Sequence, residues 1–348
     1  MFVYVRNLIG LFLFGLLPAI AKPTLPTFTT TNDPALPEGF VFQGEYTGSG
    51  YGAQVIHLGN GHFQVVLFPG GLPGAGWKQP NKCLVSGTLM KSMVLLKQAD
   101  GNRSYLATDP LLFSATQKFP PTGQKPYSGS IENEVITLLG ADGEKLHLKK
   151  TQRKSPTLLA SPPPDSIVLF DGSNKEHWHG GRIDPKTKLL HTDGKSIQTR
   201  KKFNNYQLHL EFMIPFRPTA RGQQRGNSGI YNLGMYENQI LDSFGLEGLH
   251  DECGGIYSLA KSKVNACLPP LSWQTYDIDF TNAKVENGSK VADARITVKL
   301  NGILIHDSFP IPNKTGGARN DPEGTPGAIK LQGHQNPLQF RNIWIVEK

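Results

Sequence analysis

The sequence predicts an all-β protein, in which a C-terminal β-sandwich (jelly roll) is preceded by a smaller β-rich domain. Three observations carry this. Amphipathic helical periodicity is nearly absent, whereas short runs of alternating apolar and polar residues recur about every ten residues. Gly, Pro, Asn and Asp separate these runs, as turn chemistry requires. The segment around Pro162-Pro163-Pro164 divides the chain, because proline lacks a backbone donor and fixes φ.

Residues 1–21 read as a secretory signal. Arg6 is the only charge, Leu8 to Leu17 is apolar, Pro18 breaks the run, and Ala19-Ile20-Ala21 is a small-x-small cleavage pattern. The run is short for a bilayer span, and no other segment is apolar enough to cross a membrane. The expectation is therefore an exported protein, periplasmic or extracellular. Residues 22–37 are rich in Pro and Thr and read as an extended tether. The N-terminal domain covers 38–150, with strands expected at 40–46, 53–58, 62–68, 83–89, 92–97, 104–107, 128–133, 134–139 and 145–149. Its Gly-rich loop, 69–77, lacks the Lys-Ser/Thr ending and following helix of a phosphate loop. Residues 151–165 form a second, Pro-rich linker. The sandwich covers 166–348, with strands expected at 166–170, 196–199, 206–214, 228–233, 236–241, 255–258, 275–281, 294–300, 303–309, 328–332 and 339–346. Asn301-Gly302 is the turn pair that a type I′ hairpin favours.

Composition excludes some functions. Lys and Arg number 36 against 28 Asp and Glu, but the basic residues are scattered, without a nucleic-acid-binding signature. The three cysteines, Cys83, Cys253 and Cys267, match no zinc spacing. Cys253 and Cys267 flank a short segment and could pair if the chain is exported. His177-Trp178-His179 has the look of a metal clip but lies in a loop without a third ligand nearby.

Alternation separates two rows of side chains along each strand. Over 206–214, Tyr206, Leu208, Leu210, Phe212 and Ile214 form the apolar row, and Gln207, His209, Glu211 and Met213 the other. Glu237 shares a row with Gln239. Lys330, Gln332 and His334 share another, and Asp277 and Asp279 lie opposite Tyr276, Ile278 and Phe280. An antiparallel sheet with one wet face alternates in this way without any site. Acidic residues are depleted in strands, however, and this mixture of Glu, Asn, Gln, Arg and His is the one that binds sugar hydroxyls. Asp242 falls off the row of Glu237 and reads as structural, and Trp273 and Trp344 read as core rather than as sugar platforms.

Seven ordered motifs span about half the chain: Ile167-Val168-Leu169-Phe170-Asp171-Gly172 with Trp178, Gly226-Asn227-Ser228-Gly229-Ile230-Tyr231, Tyr236-Glu237-Asn238-Gln239-Ile240-Leu241-Asp242-Ser243, Cys253-Gly254-Gly255-Ile256-Tyr257, Trp273-Gln274-Thr275-Tyr276-Asp277-Ile278, Gly327-Ala328-Ile329-Lys330-Leu331-Gln332-Gly333-His334, and Phe340-Arg341-Asn342-Ile343-Trp344-Ile345. With these, residues 165–347 resemble the 3-keto-disaccharide hydrolase domain family. The resemblance implies a concanavalin-like jelly roll and the cleavage of glycosides that carry a ketone at C3. It implies C2 proton abstraction, elimination and hydration, which need a base, an acid and an enolate stabiliser. On that reading Glu237 is the base, Glu211 or His334 the acid or a metal ligand, and Arg217, Asn227, Gln239, Lys330 and Gln332 contact the substrate. A divalent metal ion is left open, as are the aglycone, the anomer and the oligomeric state. The partner expected is an oligosaccharide or glycoside. The competing readings are a non-catalytic, lectin-like carbohydrate-binding protein and a structural surface protein, since fold alone does not establish activity.

Overall fold

The computed structural model describes residues 25–348. The signal segment expected at 1–21 lies outside the described residues, as does the start of the 22–37 segment. Among the described residues no helix is long and apolar enough to cross a membrane.

The chain is all-β, as predicted. Eight antiparallel strands close into a barrel in the order Gly44–Gly48, Lys145–Thr151, Val135–Gly140, Tyr127–Glu132, Met93–Gln98, Cys83–Met90, His62–Pro69 and Tyr51–Gly59, the last pairing with the first. Closure leaves no unpaired edge and allows one row of each strand to fill the interior. Tyr46, Val55, Phe63, Val65, Val85, Ile131, Ile136 and Leu148 form that core. Residues 40–42, expected to begin a strand, lie instead in a 3₁₀ turn, Glu38–Phe42, at whose start the Pro37 carbonyl accepts from Phe40 N.

From Ile167 onward the chain builds two antiparallel sheets with one core between them. The larger sheet runs Arg182–Ile183, Leu190–His191, Gln339–Glu347, Tyr206–Met213, Trp273–Thr281, Ala294–Leu300 and Ile303–Ile311, with Ile167–Phe170 also on Gln339–Glu347. The smaller runs Trp178–His179, Ile197–Thr199, Lys330–Leu331, Ser228–Asn232 and Tyr236–Ile240. Tyr206, Leu208, Leu210 and Phe212 face Ile230, Tyr236 and Ile240 across the core, so the apolar row of each strand is the inner one. Residues 255–258 are not a strand, Ile256 making only isolated bridges to Asn238 and Ala260. Trp178 is fully buried and donates Nε1 to Leu169 O at 2.9 Å, which removes the centre of the His177-Trp178-His179 clip to the core. All three cysteines are free, buried thiols, so Cys253 and Cys267 are not bridged.

Neither tether hangs free. Phe28 forms a bridge with Phe216, each main-chain N–H donating to the other's carbonyl, and Leu271 packs against both rings. The Pro-rich linker lies on the outer face of the larger sheet. There Ser155 Oγ meets Thr275 Oγ1 at 2.6 Å, Thr157 Oγ1 donates to Asp277 at 2.7 Å, and Leu159 N donates to Glu211. Proline-rich segments leave backbone groups without ladder partners, and here the sandwich supplies them.

Barrel and sandwich meet through a second apolar cluster. Ile56, Leu58, Val66, Phe68 and Phe113 of the barrel side pack against Phe244 and Leu246.

Candidate functional site

Sandwich strands present two polar faces, and they differ. On the smaller sheet, Tyr231 pairs with Glu237 and Gly229 with Gln239. These four positions share the outward row, opposite the core residue Ile230. Tyr231, Glu237 and Gln239 frame a cleft of about 320 Å³ with Gln223, Asn227, Tyr257, Gly316, Gly317, Gln332 and His334.

Glu237 forms the heart of this cleft. It is only 3 % exposed. Burial pushes its carboxyl up to about 7, against the opposing influence of the Tyr231 hydroxyl and the Lys330 ammonium. Gly229 makes room for it, since a Cβ there would stand 2.1 Å from Glu237 Oε1. Lys330 holds its ammonium 3.6 Å from the centre of the Tyr231 ring and donates to Gly317 O at 2.9 Å. Burial lowers its pKa, and Glu237 raises it. Tyr231 donates its hydroxyl to Gly316 O at 2.9 Å and accepts from Gln332 Nε2 at 3.4 Å. Two buried acceptors, Asn227 Oδ1 and Gln332 Oε1, have no partner in the protein. Buried polar atoms are normally paired, but each of these two oxygens lacks a donor.

The structure therefore brings together Glu237, Asn227, Gln239, Gln332 and His334, with Lys330 beside them. His334 is exposed at the rim. Arg217 stands behind the cleft, donating Nη1 to Gln224 O and Asn336 Oδ1, each at 2.6 Å, while Asn336 in turn donates to His334 O. It braces the loop that carries His334.

Glu211 is elsewhere. It lies on the larger sheet, on the face covered by the Pro-rich linker, and is completely buried. Arg341 Nε donates to it at 2.7 Å and Asn342 Nδ2 at 3.0 Å, with Leu159 N as a third donor. Burial would raise its pKa, but His209, Asn342, Arg341 and Leu159 outweigh it and hold the carboxyl at about 2. A carboxylate saturated in this way neither reaches the cleft nor has a proton to give. Trp344 stacks on His209 with ring centres 5.0 Å apart, and Trp273 lies under Arg341, so both tryptophans belong to this outer face. Asp242 is buried in an ion pair with Arg225 at 2.7 Å.

Sequence reasoning missed Gln223, Tyr231 and Tyr257. For Tyr231 a signal existed: alternation puts it on the row of Gly229, opposite Ile230. Gln223 and Tyr257 lie in irregular segments, where no period marks them. Among the described residues no three His, Cys, Asp or Glu side chains converge as metal ligands would. A wider groove of about 550 Å³ runs between barrel and sandwich past Trp77, Lys82 and Phe309, but none of the candidate residues reaches it.

Residues 165–346 match the family described as the 3-keto-alpha-glucoside-1,2-lyase-like domain. No curated protein matches the chain. Among solved structures, it is similar to a protein of Parabacteroides distasonis provisionally named a glycosyl hydrolase, with 32 % identity and a TM-score of 0.50 over 54 % of this chain and 86 % of that one. A second, similarly named protein of that organism is 19 % identical, with a TM-score of 0.39 over 53 % of this chain and 94 % of its own. A third is 23 % identical, with a TM-score of 0.36 over 53 % of this chain and 99 % of its own.

Proposed function

The chain belongs to the 3-keto-alpha-glucoside-1,2-lyase-like domain family, and from that premise we propose that its cleft cleaves glycosides whose sugar carries a ketone at C3. One observation carries the proposal: a buried carboxyl, poised at about 7, beside an ammonium and two unpartnered acceptors. A base with that pKa is half ionised at neutrality, where general-base catalysis is most effective.

The ketone acidifies C2–H. Glu237 takes that proton, and the electron pair moves onto the ketone oxygen to give an enolate. Lys330 supplies the positive charge that stabilises it, in a site where burial strengthens the attraction. Collapse of the enolate re-forms the ketone, makes the C1=C2 bond and breaks the C1–O bond. The departing oxygen takes up a proton, for which His334 at the rim is the candidate donor. Water then adds across C1=C2, its hydroxyl going to C1, the proton it releases restoring His334, and the proton held by Glu237 returning to C2. The products are a 3-keto sugar and the aglycone alcohol, so the net reaction is hydrolysis. Asn227, Gln239 and Gln332 hold the remaining hydroxyls.

The test is turnover of 3-keto-glucosides against the parent glucosides, with Glu237→Gln as control. Cleavage of the keto substrates, lost in the variant, is expected. Saturable binding of every keto substrate without turnover would replace this reading with the lectin-like one. Undiminished turnover in Glu237→Gln would remove Glu237 from its role as base.

A further inference from the structure

Four side-chain amides meet in the cleft, and main-chain groups fix which way each is turned. Asp251 O can only accept, so Gln223 turns Nε2 toward it at 2.8 Å. That leaves Gln223 Oε1 to accept from Asn227 Nδ2 at 2.7 Å and from Gln239 Nε2 at 3.0 Å. Gln239 is held to the same orientation from its other end, because its Oε1 accepts from Ile240 N at 3.1 Å. Asn227 therefore spends one N–H on Gln223, and its carbonyl oxygen is left without a partner. The same logic runs through Gly316 O, which obliges the Tyr231 hydroxyl to donate to it. The phenol oxygen then accepts one N–H from Gln332 Nε2, and the Gln332 carbonyl oxygen too is left without a partner.

We propose that the unpartnered carbonyl oxygens of Asn227 and Gln332 form a pair of acceptors that requires a free hydroxyl at each of two sugar positions, and that Gln223 is the residue that orients the acceptor of Asn227. A ketone or an ether has no proton to offer, so the pair turns the C3 ketone away from itself and toward Lys330. The inference rests on the keto-glycoside reading for the identity of the sugar, but its mechanism is one of recognition alone. Gln223 owes its position to the barrel. It sits in the 3₁₀ turn Gly222–Gln224, next to Arg221, which donates Nη2 to Leu58 O at 2.7 Å and Nε to Ala107 O at 3.2 Å. The N-terminal domain thereby sets the polarity of a subsite in the C-terminal one.

The experiment measures equilibrium binding, so that it stands apart from turnover. Methyl 3-keto-glucoside and its 2-, 4- and 6-deoxy and O-methyl derivatives are titrated calorimetrically into the full chain carrying Glu237→Gln. Two of the three positions are expected to matter, each deoxy or O-methyl change there weakening binding about tenfold to a hundredfold, since it leaves a buried acceptor unpaired. Adding Gln223→Leu releases Asn227 to turn its amide, and the ratio between parent and derivative at one position should fall to near one. Gln223→Glu keeps an acceptor facing Asn227 and should restore the ratio. Should Gln223→Leu fail to fold, Asn227→Leu removes the acceptor itself and should abolish the same ratio. Equal binding of parent and all derivatives, binding of none of the probes, or a full ratio surviving in folded Gln223→Leu would overturn the proposal. Failure of wild-type turnover with these ratios intact would overturn only the keto-cleavage reading.

Discussion

Gly229→Ala is the smallest change that tests the geometry of the cleft. Gly229 has an ordinary extended φ, so alanine meets no backbone strain there and by strand propensity alone would be welcome. The obstacle is Glu237. The new methyl carbon would stand 2.1 Å from Oε1, 2.9 Å from Cδ and 3.0 Å from Cγ, so the carboxyl head must retreat by more than about 1 Å to reach van der Waals distance. Displacement of a reacting group by about 1 Å costs roughly a hundredfold in rate. Glu237 has room to swing into the cleft, so the fold should lose no more than about 2 kcal/mol. Steady-state kinetics on a 3-keto-glucoside, beside thermal unfolding, separate the two effects: kcat should fall about a hundredfold while the protein stays folded. A folded Gly229→Ala protein with wild-type kcat would refute the placement of Glu237 as the reacting carboxylate.

Two further outcomes follow from the titrations. Glu237 must be ionised to act, and burial raises its pKa from the ordinary 4.5 to about 7, so kcat/KM should rise tenfold per pH unit below 7 and level off above it. Its stability contribution runs the other way, full below 4.5 and lost as pH rises through 7. Glu252 is also pushed up to about 7 by burial, so the activity limb should vanish in Glu237→Gln even though Glu252 still titrates. Glu211→Gln, by contrast, breaks a buried charge pair with Arg341 and should cost about 3 kcal/mol in urea unfolding while leaving kcat/KM of the folded protein unchanged. The wild-type contribution of Glu211 should be complete above 4.5 and lost as pH falls toward 2.

Much of the fold was legible because strands announce themselves by alternation and turns by their residues. Tyr206, Leu208, Leu210 and Phe212 fall on the core side as their period demands, and Asn301-Gly302 turns with both residues at positive φ. Closure of the barrel was not legible, because it depends on the first strand finding the last, Tyr46 beside Lys150. Two-residue strands such as Trp178–His179 and Arg182–Ile183 were too short to show a period. The site divides in the same way. Glu237 with Gln239, and Lys330 with Gln332, are paired by period two. Glu211 has the same period, yet period tells the wet row of a strand from the dry one and is silent on which sheet carries it. Three side-chain and main-chain donors met Glu211 from segments far away in sequence, and that alone turned a candidate acid into an anchor for the linker.

Contacts at the anchor and behind the cleft tie the two halves of this chain together. The linker is fastened to the outer sheet at Thr275, Asp277 and Glu211, which leaves the barrel little freedom to swing. On the other side Arg225, already paired with Asp242, reaches His57 O in the barrel at 3.4 Å, and Tyr105 of the barrel donates to the buried Glu252. A sandwich without the barrel would expose Phe244 and Leu246, strip Arg221 of its acceptors at Leu58 and Ala107, and leave Glu252 without that donor. Arg221 lies on the segment from Arg217 to Arg225 and Glu252 on that from Gly248 to Glu252, and those segments hold Gln223 and Asp251. Loss of the barrel would therefore reach the cleft through the hydrogen bond that orients Gln223, before it reached Glu237, whose strand is secured within the smaller sheet by Tyr231. The proposed base belongs to the sandwich, whereas the selectivity proposed around it draws on both domains.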